Sequence, residues 1–238
     1  MAVTFKVISI GTLSRNPFWQ ETEPVRTVHA TTTLVTAEKP AGSRQHILVD
    51  PALPSKILDA RLHERAGIRI GDISIVFLTT FRASHRMALQ AFDGADWYLD
   101  EREKEFAKQY LDDMHFRYKD KTSDQASLIE NDLALLERCR PAPKDSLADQ
   151  VQVFPSPGAS TGCCGLLLTA PVGTVVIAGD AVISQEYLEH GQVWDYSTDP
   201  KAARQSLQDI LEIADIIVPG HDNMIPRLGK FLPLQGPI

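Results

Sequence analysis

Three apolar runs in this chain each stop at a group able to hold a proton or a metal. "SIVFLTTFRASH" ends in His85, "GTVVIAGD" in Asp180 and "DIIVPGH" in His221. Two imidazoles and one carboxylate suffice for one divalent metal, with positions left open for water or substrate. Taken singly, each residue also fits a loop or a cap, and "GDA" and "PGH" also fit turns. The first cluster is the most unusual: its strand stops in Thr80, Arg82, Ser84 and His85, with one histidine, one arginine and no carboxylate.

The elements that must carry these groups can be read from periodicity. "TFKVISIGT", "HATTTLVTA" and "RQHILVD" are short, β-branched and bounded by turn formers, as strands are. Between the first two lies a polar loop, "LSRNPFWQETEPVRT". "PSKILDARLHERAG" has helical spacing: Ile57, Leu58, Leu62 and Ala66 share a face, Ser55 is placed to cap it and Gly67 to end it. "DISIVFLTT" predicts a buried strand, "SHRMALQAF" the start of a helix and "ADWYLDE" a further strand. A helical insertion at about 102–139 follows, as two amphipathic segments joined by "RYKDKT". "VQVFPSPGAS", "CCGLLLTAP" and "GTVVIAGDAV" then predict a meander. In "DPKAARQSLQDILEIA", Asp199 caps a long helix and Pro200 takes its first position. "DIIVPGHD" is the last buried strand. The order predicts one layered α/β domain over 1–238, in two halves.

Composition narrows the classes. The 238 residues are 43% hydrophobic and 23% charged, an ordinary globular balance, with a formal net charge of -7. The acidic excess argues against general nucleic-acid binding. No run approaches the roughly 18 apolar residues that span a bilayer, and the first residues lack the pattern of a signal peptide. Three cysteines, two of them adjacent, predict reduced thiols and a cytoplasmic protein. His63 and His115 sit among polar residues and read as surface. His190, in "YLEHGQVWDY", is a candidate replacement ligand but reads mainly as a solvent-facing loop residue.

From "ILVDPALP" to "IVPGHD" the segments resemble, in order, the metallo-β-lactamase-fold hydrolases. "GTVVIAGDAV" and "ADIIVPGHD" are similar to that family's fourth and fifth motifs, "SIVFLTTFRASH" to its second and "FPSPGASTGCCGLLL" to its third. Asp50 in "LVDPAL" matches the acidic residue of the first motif, which supports the fold. The resemblance implies an αββα sandwich of two mixed β-sheets flanked by helices. It also implies a metal site that has been rebuilt. The second motif usually reads His-x-His-x-Asp-His, and only its last histidine, His85, stands here. Thr80, Arg82 and Ala159 take the places of the three histidines of the family's first metal site. Ser84 replaces an aspartate of the second site, where His85, His221 and the bridging Asp180 remain. Ile183 stands where lactonase-like members often carry a tyrosine, and Tyr187 and Trp194 are candidate pocket walls.

Three functions are consistent with these residues. One is a binding protein or pseudoenzyme that takes a small anionic molecule and at most one divalent ion, zinc or iron. Another is a single-metal hydrolase of an ester, lactone, thioester or phosphodiester, with Arg82 on an anionic group or oxyanion. The third is a structural subunit, a homo-oligomer joined through the helical insertion.

Overall fold

The structure is a computed structural model in which residues 2–38, 43–118 and 123–227 are described. It contains two six-stranded mixed sheets. The first runs in chain order: β1 (Thr4–Ser9), β2 (Thr32–Glu38), β3 (Arg44–Val49), β4 (Ile75–Phe77), β5 (Asp96–Leu99) and β6 (Arg140–Pro141). The second comprises β7 (Ser146–Ala148), β8 (Val151–Pro155), β9 (Cys164–Ala170), β10 (Gly173–Gly179), β11 (Ile216–Pro219) and β12 (Ile225–Pro226). Helices α1 (Ser55–Ala66), α2 (Glu101–Tyr118) and α3 (Ser123–Arg138) belong to the first half, and α4 (Gln185–Glu189) and α5 (Pro200–Ile213) to the second.

Strand alternation explains the layering. Successive side chains on a strand point to opposite faces. In β3, Ile47 and Val49 pack between the sheets and Leu48 packs outward beneath the helices. In β4, Ile75 and Phe77 face inward and Val76 outward. In β10, Val175 and Ile177 face inward while Val176 and Ala178 pack outward with Leu207 and Ile210 of α5. A strand apolar on both sides must be covered on both sides, so two such sheets give four layers, αββα. The adjacent Cys164 and Cys163 obey the same rule, one between the sheets and one outside, and both are buried free thiols.

Two local expectations are corrected. Pro54, not Ser55, occupies the capping position of α1, and no side chain bonds its first turn. Ile57 is 52% exposed, so the buried stripe narrows to Leu58 and Leu62. Gly67 ends the helix as expected, in the left-handed conformation with φ +69°. "SHRMALQAF" does not form a helix but two 3-10 turns, Ala83–His85 and Leu89–Ala91. The cause is competition for its backbone groups. The Ser84 carbonyl accepts from Ala30 N at 2.9 Å, and Ala88 N donates to the Pro51 carbonyl at 2.9 Å, so the i→i−4 bond between them is not made. Both amphipathic segments of the insertion are helices; positions 119–122 of the "RYKDKT" connection lie outside the described residues.

Asp199 caps α5 as its position predicts, accepting from Lys201 N and Ala202 N at 3.0 Å. Asp199→Ala should therefore cost about 1 kcal/mol in urea unfolding. Ser55→Ala, at a helix start with no side-chain cap, should stay within about 0.5 kcal/mol.

Candidate functional site

Both sheets end at one edge, where the loops after β4, β10 and β11 meet. β10 and β11 are parallel neighbours, so their C-terminal ends leave the sheet side by side. Gly179, at φ +53°, turns the chain out of β10 and delivers Asp180. A Cβ on Gly179 would come within 2.4 Å of Thr79 Oγ1, so only glycine lets the two halves approach here. Gly220 N donates to the Val182 carbonyl at 2.9 Å and His221 N to the Ile183 carbonyl at 2.8 Å, which ties the His221 loop to the Asp180 loop. From the other half, Thr31 N donates to the Gly220 carbonyl at 2.6 Å. Cys164 N donates across the sheets to the Thr79 carbonyl at 3.1 Å.

These loops bring His85, Asp180 and His221 together, with one donor atom of each within 4.8 Å of the others. Both imidazoles approach the same oxygen: His85 Nε2 and His221 Nε2 each lie 3.2 Å from Asp180 Oδ1. The rings are nearly perpendicular, their centroids 5.5 Å apart. The other nitrogen of each ring has its own partner. His221 Nδ1 donates to the His29 carbonyl at 3.0 Å, and His85 Nδ1 lies 3.1 Å from Ser84 Oγ. Despite these distances, His85 Nε2 and both Asp180 oxygens are buried without a hydrogen bond among the described residues. Buried polar atoms left in that state call for an explanation. Two imidazole nitrogens and a carboxylate oxygen gathered this closely form a group that could hold a divalent metal ion.

Arg82 addresses the opposite oxygen. Its Nε is 3.4 Å from Asp180 Oδ2, its Nη2 donates to the Ala159 carbonyl at 2.8 Å, and its guanidinium lies 4.1 Å from the centre of the Trp194 ring. Burial would raise the Asp180 carboxyl, but the His85 charge and the contacts from both histidines outweigh it and hold the group well below the usual carboxylate range. Burial would lower His85, but the carboxylates of Asp180 and Asp50 prevail and raise it. Asp50 accepts from Thr79 N at 2.9 Å and Thr79 Oγ1 at 2.7 Å. Burial dominates there and pushes its carboxyl up to about 6.

The remaining residues singled out in the sequence fall in different places. Arg82 and Ser84 line a hollow of about 370 Å³ together with Tyr187, Trp194 and His221. Thr80 and Ala159 lie beneath the surface, fully or almost fully buried. His190 is not grouped with the three donors: its Nδ1 lies 2.7 Å from the Glu186 carbonyl and its ring stacks on Phe18 at 4.3 Å. Ile183 is buried against Leu13 and Tyr187. Sequence reasoning missed Glu103, which sits 2% exposed in the first turn of α2. Its carboxylate accepts from Phe81 N at 3.1 Å, Ser160 Oγ at 2.7 Å and Gly162 N at 3.1 Å. It thereby holds together the two loops that carry Arg82 and Ala159. In "DEREKEF" it is one acid among several, and nothing in the spacing marks it.

Comparison with solved structures finds this architecture repeatedly. A Thermotoga maritima protein provisionally assigned as a metallo-β-lactamase superposes with a TM-score of 0.68 at 19% identity, over 95% of this chain and 100% of that one. AidC, a dizinc quorum-quenching lactonase solved with N-hexanoyl-homoserine, its product, gives 0.62 at 15% identity over 83% and 80%. AiiA of B. thuringiensis, with N-decanoyl-homoserine at its active site, gives 0.61 at 18% identity over 93% of each chain. At such identities the likeness establishes the fold. A curated rat protein, metallo-beta-lactamase domain-containing protein 1, is 37% identical over 73 residues, which span 30% of this chain and only 28% of that protein. No family model matches the chain. No helix among the described residues is long and apolar enough to cross a membrane.

Two measurements check the buried carboxylates. Glu103→Ala leaves two backbone amides and a hydroxyl buried without an acceptor and should cost about 3 kcal/mol in urea unfolding, whereas Glu103→Gln should cost less. Asp50 has a folded pKa of about 6, above its unfolded value of roughly 4. Its contribution to stability is therefore complete below about pH 4 and lost as pH rises through about 6. Asp50→Asn should remove that slope. Its stability relative to the native chain should rise between pH 4 and pH 7; a difference that stays flat would contradict the assignment.

Proposed function

Because the chain has the metallo-β-lactamase fold, we propose that its pocket is one half of a two-ion centre, which binds a small anionic molecule, holds at most one divalent ion and does not hydrolyse its ligand. The observation that carries this reading is the division of labour on Asp180. One oxygen faces the two imidazoles at 3.2 Å and the other faces the Arg82 guanidinium at 3.4 Å. In the family pattern that carboxylate bridges two metals. Here Arg82 supplies the positive charge on one side, and His85, Asp180 and His221 would hold zinc or iron on the other. A guanidinium can replace a cation as the partner of a carboxylate, but it repels a second ion beside it.

Where an ion is held, it supplies Lewis acidity and lowers the pKa of bound water towards about 7. The chain's own residues do the rest. His29 fixes the tautomer of His221 through its carbonyl, Ser84 contacts the inner nitrogen of His85, and Arg82 offers charge to the ligand. Ser84 has no carboxylate to take a proton from attacking water, which is why binding is favoured over turnover. The second reading, a single-metal hydrolase of an ester, lactone, thioester or phosphodiester, is supported by the lactonases among the similar structures. In that reading Arg82 holds the substrate's anionic group or the developing oxyanion.

Equilibrium dialysis against zinc separates these readings from a site without metal. The native chain should take up no more than one ion, and Asp180→Asn should take up none. Two tightly held ions per native chain would overturn the proposal. Turnover of N-hexanoyl-homoserine lactone that disappears in Asp180→Asn would establish the hydrolase instead. The variant Thr80→His, Arg82→His, Ser84→Asp, Ala159→His, which restores the family pattern, should bind a second ion if it folds with the buried Ala159 position enlarged.

A further inference from the structure

Arg82 stands at the boundary of a second and larger hollow. It has a volume of about 690 Å³, within the roughly 300–1,000 Å³ of small-molecule sites. Most of its lining comes from α2 and the loop after β4, with Phe81, Phe106, Ala107, Tyr110 and Leu111 among its apolar residues. Four charged groups also line it, and all four have partners, but one keeps an open donor. Arg86 pairs with Asp132 through two contacts of 2.8 Å, and Glu103 accepts its three hydrogen bonds. The fourth, Arg82, uses Nε on Asp180 and Nη2 on the Ala159 carbonyl, while its Nη1 makes no hydrogen bond among the described residues. The guanidinium is thus held from one side by a carboxylate, a carbonyl and the Trp194 ring, with its other edge free.

We propose that this hollow binds a monocarboxylate with an apolar tail, its carboxylate on the free edge of Arg82 and its tail along Phe106, Tyr110 and Leu111. The proposal deepens the reading of the pocket as an anion site, but it rests on Arg82 and α2 and not on an ion. A guanidinium edge matches the planar, two-oxygen geometry of a carboxylate. A single open donor edge on Arg82, whose Nε is already paired with Asp180, has room for one carboxylate. A second charge or a polar tail would lie against apolar walls and lose its hydration without a partner. A site already held in place also loses little freedom on binding.

The test is calorimetric titration of chelator-treated, metal-free protein with octanoate, acetate and 1-octanol. Octanoate should bind at least about tenfold more tightly than acetate, since each buried methylene adds to affinity, and at least about tenfold more tightly than octanol, which lacks the charge. Arg82→Gln, checked for folding by its melting curve, should reduce octanoate affinity by about tenfold or more. Tyr110→Ser, at an exposed position outside the core, should weaken octanoate by roughly threefold and leave acetate unchanged. If Arg82→Gln does not fold, the comparison of octanoate with octanol on the native chain decides the role of charge. Equal binding of octanoate and acetate, equal binding of octanoate and octanol, or octanoate affinity unchanged in folded Arg82→Gln would each overturn the proposal. Because no metal is present, these outcomes are independent of zinc uptake: a chain that binds zinc but not octanoate retains the ion site and loses this inference, and the reverse result separates them equally well.

Discussion

A carboxylate buried at the meeting point of three loops is the constraint on which this structure turns. Asp180 is 2% exposed, and an isolated ionised group there would be prohibitive. Its environment is built to compensate it. Two imidazoles approach one oxygen and a guanidinium the other; Arg82 and His85 come from the loop after β4 and His221 from the loop after β11. The loops are in turn held by backbone hydrogen bonds that run from the Asp180 turn to the His221 turn and on to the segment before β2. Glycines sit where no side chain would fit: a Cβ on Gly220 would meet Asp180 Oδ1 at 2.9 Å. Moving any one of these loops would expose the carboxylate to the full cost of its burial.

The layers were legible in the sequence because alternation is a local property. "ILV", "IVFL" and "VVIA" are apolar at every position, and a strand buried on both faces requires cover on both. The positions of His85, Asp180 and His221 at strand ends were legible for the same reason. What the sequence hid was competition over distance. The helical spacing of "SHRMALQAF" was sound, yet Ala30 and Pro51, remote in sequence, took the backbone groups the helix needed. Glu103 was hidden by its neighbours, since an acid in a charged helical turn looks solvated until the turn is seen packed over two loops. Arg82 was visible as a departure from the family pattern, but its grip on the Ala159 carbonyl was not, because a backbone acceptor leaves no mark in the sequence.

The helical insertion is joined to the site by charge as well as by packing. Glu103 of α2 binds the loop after β4, and Arg86 of that loop reaches Asp132 of α3 while its Nε donates to the Phe81 carbonyl. The two helices therefore brace the loop that carries Arg82. Shape at the α2–α3 face and geometry at Asp180 are linked through a few buried polar bonds, which are far less forgiving of displacement than an apolar contact.

Arg82 also changes what it means for this pocket to be loaded. A metal ion is borrowed: it comes from the surroundings, exchanges with them and can be stripped by a competitor. A guanidinium is encoded, stays ionised across the whole physiological pH range and cannot dissociate from its own backbone. Scarcity, chelation or a competing sink that would empty a two-ion hydrolase leaves this charge in place beside Asp180. The part of the pocket that answers to Arg82 is thus constitutive, fixed at translation and indifferent to metal supply.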